Sequence, residues 1–342
     1  MGPLNMNLRR LPKAVTTLTP QRISFVGGGT DLPAYYENHE GAVISSAIDK
    51  YIHVTVKRHS PLFQEAYRLN YSKTEHAESL DDIENDIARE CLRLVPVDPP
   101  LYIATAADLP SSSGLGSSSS FAVGLLHALH LLRGERVTPA QLAEEACEIE
   151  INILGNPIGK QDQYAAAFGG VNHISFKKNG RVEIDHLVLQ DDLVNRVFQN
   201  SLLIWTGVQR SASDILQKQN EQMEKRVHEY GFIASATHEL KNLILNPTDN
   251  FLEEFGALLD KTWTVKKKLE DSISSSEIDT IHSQLKAMGG YGGKLSGAGG
   301  GGFLFEIIIE KHQQEVLAAL GKQRVIKIAY EPFGSRLLSE VY

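Results

Sequence analysis

A glycine- and serine-rich stretch that runs directly into an apolar helix pattern constrains this chain most: LPSSSGLGSSSSFAVGLLHAL, residues 109–129. An apolar strand pattern over 101–107 precedes it, and apolar residues recur at helical spacing over 121–132. The stretch therefore predicts a strand–loop–helix unit rather than a flexible linker. Gly114 and Gly116 permit a tight turn, and the serines at 117–120 fall at the first turn of the helix. Because unpaired N–H groups at a helix start attract anions, we predict a phosphate-binding loop here.

Charge and composition narrow the class of partner. The 342 residues carry 34 Lys plus Arg against 42 Asp plus Glu, a net charge of −8, and no long basic run that could neutralise a nucleic-acid backbone. The start of the chain lacks the apolar core of a signal peptide, and no apolar run reaches the ~18 residues of a membrane helix. The two cysteines, Cys91 and Cys147, have no metal-site or disulfide spacing. We expect a cytoplasmic protein, a monomer or homodimer, that acts on a small molecule without nucleic-acid or membrane partners.

Strand and helix patterns follow one another in an order typical of an α+β protein. The predicted strands span 22–26, 42–48, 51–57, 101–107, 171–176, 182–184, 201–205, 303–309 and 324–329. The predicted helices span 81–94, 121–132, 138–154, 211–245, 249–269, 276–288 and 312–320. Because long helical patterns dominate after residue 200, we predict one domain at 1–195 and a second at 196–342.

A second glycine-rich turn follows the first strand pattern. It reads Gly27-Gly28-Gly29-Thr30-Asp31, and Arg22 lies inside the otherwise apolar strand before it. Three glycines after a strand are also compatible with a plain turn. The opposite charges of Arg22 and Asp31 on either side of the turn favour a substrate-binding floor.

Two carboxylates stand near the turn GNPIGK at 155–160. Glu150 lies towards the end of the predicted helix 138–154, where an acidic side chain is ordinarily just solvated. Asp162 is flanked by glutamines and leads into the apolar, small-residue segment 164–168, so it is expected to be buried. A buried carboxylate needs a reason, and a reaction site supplies one.

Taken together, these features predict phosphoryl transfer. Glycine loops with backbone donors hold phosphates, hydroxyl and carboxylate oxygens hold Mg²⁺, and a carboxylate orients or deprotonates the attacking hydroxyl. The glycines 297, 299 and 302 also match the dinucleotide-binding spacing, but their strand follows instead of preceding them, so a dinucleotide-dependent oxidoreductase is disfavoured.

Three ordered motifs carry a family resemblance: PQRISFVGGGTD, LPSSSGLGSSSS and KLSGAGGGG, spread over residues 20–310. They resemble the three signature motifs of the GHMP small-molecule kinase superfamily. The resemblance implies a two-domain fold, with an N-terminal domain like ribosomal protein S5 domain 2 and a ferredoxin-like C-terminal domain. It also places the active site between the two domains and implies ATP and Mg²⁺ as cofactors.

The resemblance also assigns roles to residues of this chain. It implies that Asp162 is the catalytic aspartate, that Arg22 stabilises charge near the reacting hydroxyl, and that Ser118 and Glu150 bind Mg²⁺. The implied ATP-binding residues are Pro110, Ser113, Gly114, Leu115, Gly116, Ser117, Ser118 and Ser119. The implied substrate-binding residues are Gly29, Thr30, Asp31, Gly297, Gly299, Gly300 and Arg210.

Within the superfamily, RISFVGGGTDLPAYY, GAVISSAIDKYIHV and GKQDQYAAAFGG most resemble the D-glycero-D-manno-heptose 7-phosphate kinases. That resemblance implies transfer of the ATP γ-phosphoryl group to the C1 hydroxyl of a heptose 7-phosphate. Arg210, Lys160 and Lys50 are candidates for binding the phosphate already on such a substrate. The alternatives are a fucokinase or galactokinase-like kinase of an unphosphorylated sugar, and a catalytically silent sugar and ATP sensor.

Overall fold

The computed structural model describes residues 11–208 and 212–342, and the α+β class is confirmed. The strands are β1 (Ala14–Val26), β2 (Gly41–Arg58), β3 (Tyr67–Asn70), β4 (Thr74–Ala77), β5 (Leu101–Ala107), β6 (Val171–Phe176), β7 (Val182–His186), β8 (Ser201–Trp205), β9 (Gly290–Leu295), β10 (Phe303–Ile308), β11 (Val325–Ile326) and β12 (Arg336–Val341). The helices are α1 (Pro33–Tyr36), α2 (Asp86–Leu94), α3 (Ser117–Leu132), α4 (Pro139–Cys147), α5 (Gln161–Phe168), α6 (Asp191–Gln199), α7 (Ala212–Glu221), α8 (Val227–Leu245), α9 (Phe251–Lys266), α10 (Ser276–Ala287) and α11 (Glu310–Leu320). None of these helices combines the length and apolarity that crossing a bilayer requires.

The first sheet is built around one long strand. The strands predicted at 42–48 and 51–57 are a single strand, β2, which pairs with β1 along its length, with β6 at its start and with β5 at its end. Ile48 and Tyr51 pair with neighbouring residues of β1, so Asp49 and Lys50 between them form a bulge. The sequence pattern is interrupted at this bulge, which is why two strands were predicted. The order is β12-β1-β2-β5-β3-β4, with β6 and β7 continuing from β2.

The second sheet has the order β11-β8-β10-β9, with antiparallel pairs throughout. Helix α9 packs on β9, and α8 packs on α9. The strand predicted over 324–329 is shorter than expected, since β11 comprises only Val325 and Ile326.

The two sheets share a hydrophobic core next to the end of β1. Phe25 of β1 lies 5.2 Å, centroid to centroid, from Phe255 of α9 and 5.6 Å from Phe305 of β10. Ile23 and Ile44 belong to the same buried cluster. This contact holds the glycine turn after β1 against the second sheet.

The chain's last strand was not anticipated. Residues Arg336–Val341 form β12, which pairs antiparallel with β1 in the first sheet. The domain boundary at 195/196 stays a prediction, and the first sheet takes one edge strand from far beyond it.

Helices α3, α4 and α5 pack against one another, and α3 and α5 also pack on β1 and β2 of the first sheet. Helix α3 begins at Ser117, so the serines do form its first turn. The helix predicted over 138–154 is α4 followed by a wider π-helical segment, Glu148–Ile153. Glu150 is fully buried, on the same side as Ala143, Ala146 and Cys147 of α4.

Candidate active site

A cavity of about 260 Å³ lies where the two sheets meet. The glycine turn after β1, the serine loop before α3, the π segment, α5, α9 and the third glycine loop all contribute to its wall. Of the predicted site residues, the cavity is lined by Arg22, Gly29, Asp31, Gly114, Gly116, Ser117, Ser118, Ser119, Glu150, Asp162 and Gly297. The fold thus brings together residues from all three glycine-rich motifs.

The start of α3 faces this cavity and is suited to an anion. Gly116, with φ +77°, precedes the first turn, and no side chain caps the helix there. The Ser120 hydroxyl anchors the turn by donating to the carbonyl of Pro20 at 2.9 Å. The backbone N–H groups of the first turn therefore point towards the cavity without a capping acceptor, an arrangement that binds phosphate.

Three predicted nucleotide-binding residues, Pro110, Ser113 and Leu115, are not part of the cavity lining. Ser113 and Leu115 instead support the loop through their backbones. The Ser113 carbonyl accepts from the N–H of Phe303 at 3.3 Å, and the Leu115 carbonyl accepts from the N–H of Arg22 at 3.1 Å.

The third glycine loop touches the serine loop directly. Gly114 has φ +81°, and a Cβ placed on it would lie 2.5 Å from the carbonyl oxygen of Ser296. Only a glycine allows this approach. The phosphate loop and the third glycine loop are thereby held at a fixed distance.

We expect Gly114→Ala to lower kcat/KM for ATP by roughly 10²-fold, since small displacements of a positioning loop have effects of that size. Gly180→Ala is the matched control, because Gly180 has φ +79° but its nearest atom is Lys160 Nζ at 3.6 Å. Both variants carry the left-handed strain of about 1–2 kcal/mol in the free energy of unfolding. Steady-state kinetics and urea unfolding of the pair would reject the contact if both variants lost activity equally.

Arg22 and Asp162 form a bidentate ion pair at the cavity wall. Arg22 Nη2 donates to Asp162 Oδ2 at 2.6 Å and Nε donates to Oδ1 at 2.7 Å, while Nη1 donates to the carbonyl of Gly114 at 2.7 Å. The Asp162 side chain is 24% exposed, so the expectation of a buried carboxylate is wrong. Residues 164–167 of α5 are buried, as expected, whereas Asp162 lies in the first turn of the same helix and lines the cavity. The carboxylate is held rigidly and remains accessible to a ligand.

Asp31 lies deeper than Asp162 and is held by the backbone. Its Oδ1 accepts from the N–H of Gly29 at 2.9 Å and from Gln161 Nε2 at 3.0 Å, and its Oδ2 accepts from the N–H of Gln161 at 3.2 Å. Burial raises the pKa of Asp31, and the negative charge of Asp162 raises it further. Asp31 lines the cavity, as the prediction that it binds substrate hydroxyls requires.

Glu150 and Ser118 meet at the side of the cavity near α3. Ser118 Oγ donates to Glu150 Oε1 at 2.5 Å, and Gln163 Nε2 donates to Oε2 at 2.7 Å. Burial raises the pKa of Glu150, and the charge of Asp162 raises it further, against the lowering effect of these hydrogen bonds. Within the described residues no group of three or more His, Cys, Asp or Glu side chains converges as a metal cluster. One carboxylate and one hydroxyl beside a phosphate site still fit Mg²⁺, which prefers oxygen ligands and typically takes the rest from phosphates and water.

Besides Gly29 and Asp31, only Gly297 lines the cavity among the predicted substrate residues that the structure describes. The Thr30 hydroxyl is used inside its own turn, where its one hydrogen is shared between the carbonyls of Gly27 and Ala42, at 2.8 and 2.9 Å, so Thr30 shapes the turn. In the third loop, Gly297 lines the cavity, whereas Gly299 packs on Ile273. The N–H of Gly300 donates to the Ile273 carbonyl at 2.8 Å. Arg210 falls outside the described residues.

The two lysines proposed from sequence do not enter the cavity lining. Lys50 pairs with Asp49 at 2.9 Å, and Lys160 donates to the carbonyl of Gly180 at 2.9 Å. Two other lysines do enter it: Lys266, at the end of α9, and Lys294, in β9. Lys294 is the first residue of the third motif, KLSGAGGGG, so the motif itself offered it as a candidate site residue. Lys266 ends a long helix and carries no such signal.

Comparison with known proteins identifies the class. The model of the GHMP kinase N-terminal domain matches residues 85–170, and that of the GHMP kinase C-terminal domain matches residues 240–326. The chain belongs to the GHMP kinases, a family of ATP-dependent kinases that act on small molecules.

Individual relatives sharpen the comparison. A D-glycero-alpha-D-manno-heptose 7-phosphate kinase of Campylobacter jejuni is 33% identical over 330 residues, which cover 91% of this chain and 94% of the relative. A galactokinase of Pyrococcus furiosus is 22% identical, covering 93% and 95% of the two chains. The crystal structure of a D-glycero-D-manno-heptose 1-phosphate kinase from Bacteroides thetaiotaomicron shares the fold, with a TM-score of 0.76 at 24% identity, over 96% of this chain and 99% of that one.

Family membership confirms the expectations of a GHMP kinase fold and of ATP use. The dinucleotide-dependent oxidoreductase, already disfavoured, is excluded. The individual site residues stay predictions, now with known positions.

Proposed function

We propose that this protein transfers the γ-phosphoryl group of ATP to the C1 hydroxyl of D-glycero-D-manno-heptose 7-phosphate. One structural observation supports phosphoryl transfer as the reaction type. A single cavity is lined by the uncapped start of α3, the Arg22–Asp162 pair and the Asp31 carboxylate. The substrate identity is supported by the heptose 7-phosphate kinase relative, which is more similar than the galactokinase and fucokinase relatives.

The residues of the chain divide the work of phosphoryl transfer. The first turn of α3 binds the triphosphate through its backbone N–H groups, and the glycines before it allow close approach. The Asp162 carboxylate accepts the hydrogen of the attacking hydroxyl, and Arg22 keeps that carboxylate in place through two hydrogen bonds.

Mg²⁺, held by Glu150 and Ser118 together with phosphate oxygens, would supply positive charge that neutralises the triphosphate. Asp31 accepts hydrogen bonds from sugar hydroxyls, since it already lies at the cavity wall with its orientation set by Gly29 and Gln161.

A panel of acceptors with MgATP, followed by ADP release, tests the proposal. We expect turnover with heptose 7-phosphate at a kcat/KM well above that with free heptose, L-fucose or galactose. Turnover only with fucose or galactose would reject the substrate while keeping the kinase class.

The silent sensor is the non-enzyme alternative, and it predicts binding of ATP and sugar without ADP release. The presence of Glu150, Asp162 and the serine turn in one cavity argues against it. The monomeric or homodimeric state and the cytoplasmic location stay predictions, which size-exclusion chromatography with light scattering and cell fractionation would test.

A further inference from the structure

Two buried lysines, one on α9 and one on β9, line the cavity. Lys266 ends α9 and is 6% exposed, and Lys294 lies in β9 and is 5% exposed. Both line the cavity, and the two also face a small void shared with Gly27 and Gly28. The roles proposed for the transfer reaction do not use either side chain.

Neither ammonium group has a carboxylate partner among the ion pairs of the described residues. Lys266 Nζ donates to the carbonyl of Gly297 at 2.5 Å, and Lys294 Nζ donates to the carbonyl of Ser24 at 2.7 Å. An ammonium group has three N–H donors, and buried charges are ordinarily paired. Both lysines therefore have donors left for an anionic ligand.

Burial disfavours the charged form of both lysines. It lowers the pKa of Lys266 to about 8 and lowers that of Lys294; the positive charge of Arg22 lowers both further, whereas the negative charge of Asp31 raises both. Asp162, the other nearby acid, is already paired with Arg22, so neither lysine has a carboxylate of its own. An anion bound here would offset the desolvation of both ammonium groups and favour their charged forms.

A neutral donor without a partner lies at the same place. The hydroxyl of Ser24 is buried, lines the cavity and has no hydrogen-bond partner among the described residues. Its own carbonyl accepts from Lys294, so hydroxyl and ammonium are neighbours. Two ammonium groups and a free hydroxyl match the charge and the several acceptor oxygens of a phosphate monoester.

We propose that Lys266 and Lys294, assisted by Ser24, bind the phosphate group that the acceptor sugar already carries. The inference rests on the proposed function and deepens it, because it names the residues that bind the phosphate by which the acceptor differs from a free sugar. The phosphates of the donor have their own proposed site at the start of α3, where neither lysine forms a hydrogen bond. The two lysines thereby act as specificity determinants.

Calorimetric binding without nucleotide tests this directly, with D-glycero-D-manno-heptose 7-phosphate and free heptose as probes. We expect the wild type to bind the 7-phosphate at least about 10-fold tighter than the free sugar, as charge-assisted hydrogen bonds imply. Lys266→Met and Lys294→Met, which keep the aliphatic stem, should each lose about 10- to 100-fold in 7-phosphate affinity and little in ADP affinity. Ser24→Ala should show a smaller loss in the same direction.

Lys267→Met is the matched control, since Lys267 follows Lys266 directly but pairs with Asp279 at 3.0 Å on the surface. Equal wild-type affinity for both sugars would overturn the proposal without any variant. A loss of ADP affinity in the methionine variants would assign the lysines to the donor instead. Retained preference for the 7-phosphate without ADP release would reject the proposed function and leave the phosphate subsite standing.

Discussion

Asp162→Asn is expected to lower kcat by about 10²- to 10⁴-fold while the Kd for ATP stays within roughly 3-fold of the wild type. The asparagine has nearly the same shape, but it cannot take up the proton of the attacking hydroxyl. It also lacks the charge that pairs with Arg22 at 2.6 Å. In our proposal ATP contacts the start of α3 and not Asp162. The substitution should therefore slow phosphoryl transfer while leaving the affinity for ATP nearly unchanged.

Asp185→Asn is the control for this variant. Asp185 also forms an ion pair, with Lys241 at 2.6 Å, but on the exposed strand β7. Its loss is expected to change kcat little, because Asp185 is not part of the cavity lining, and to cost only about 0–1 kcal/mol of stability as an exposed ion pair. Single-turnover and equilibrium-binding measurements compare the two. Undiminished kcat in Asp162→Asn would remove Asp162 from its proposed role.

Glu150→Gln is expected to separate activity from stability. The amide keeps the size of the side chain but not its charge, so we expect the Mg²⁺ concentration for half-maximal activity to rise at least about 10-fold. Burial raises the pKa of Glu150, which means that folding disfavours its ionised form. That cost is absent at a pH below the unfolded pKa, develops between the unfolded and the folded pKa, and is fully present above the folded pKa. The neutral amide avoids it, so the free energy of unfolding of this variant at pH 7 should be unchanged or higher.

Glu148→Gln is the matched control, two residues earlier in the same π segment but exposed. It should change neither the Mg²⁺ requirement nor urea unfolding appreciably. Calorimetric binding of MgADP against metal-free ADP gives a readout independent of turnover. A destabilised Glu150→Gln protein with an unchanged metal requirement would show that Glu150 is structural instead.

The strand–loop–helix at 101–132 was predictable because loop chemistry and helical periodicity agree there. Helix α3 begins at Ser117, as the serine cluster indicated. The family resemblance then predicted that this loop shares an active site with Arg22, Asp31 and Asp162, which lie far from it in the sequence. Local patterns alone could not have placed residues 140 positions apart in one ion pair.

The features that sequence missed depend on tertiary packing. Strand β12 is a half-exposed edge strand without clear alternation, so only its pairing with β1 defines it. A carboxylate on a helix is ordinarily solvated, and only the contacts of Glu150 with Ser118 and Gln163 show that this one is buried. Lys266 looks like an ordinary last-turn lysine, and only the approach of Gly297 to α9 buries it.

Phosphorus NMR of the reaction mixture tests the central claim most directly. Heptose 7-phosphate, ATP, Mg²⁺ and the wild-type protein should yield ADP and a second sugar phosphate resonance that couples to the anomeric proton, with the C7 phosphate signal retained. A new phosphate at any other carbon, or release of inorganic phosphate alone, would contradict the account.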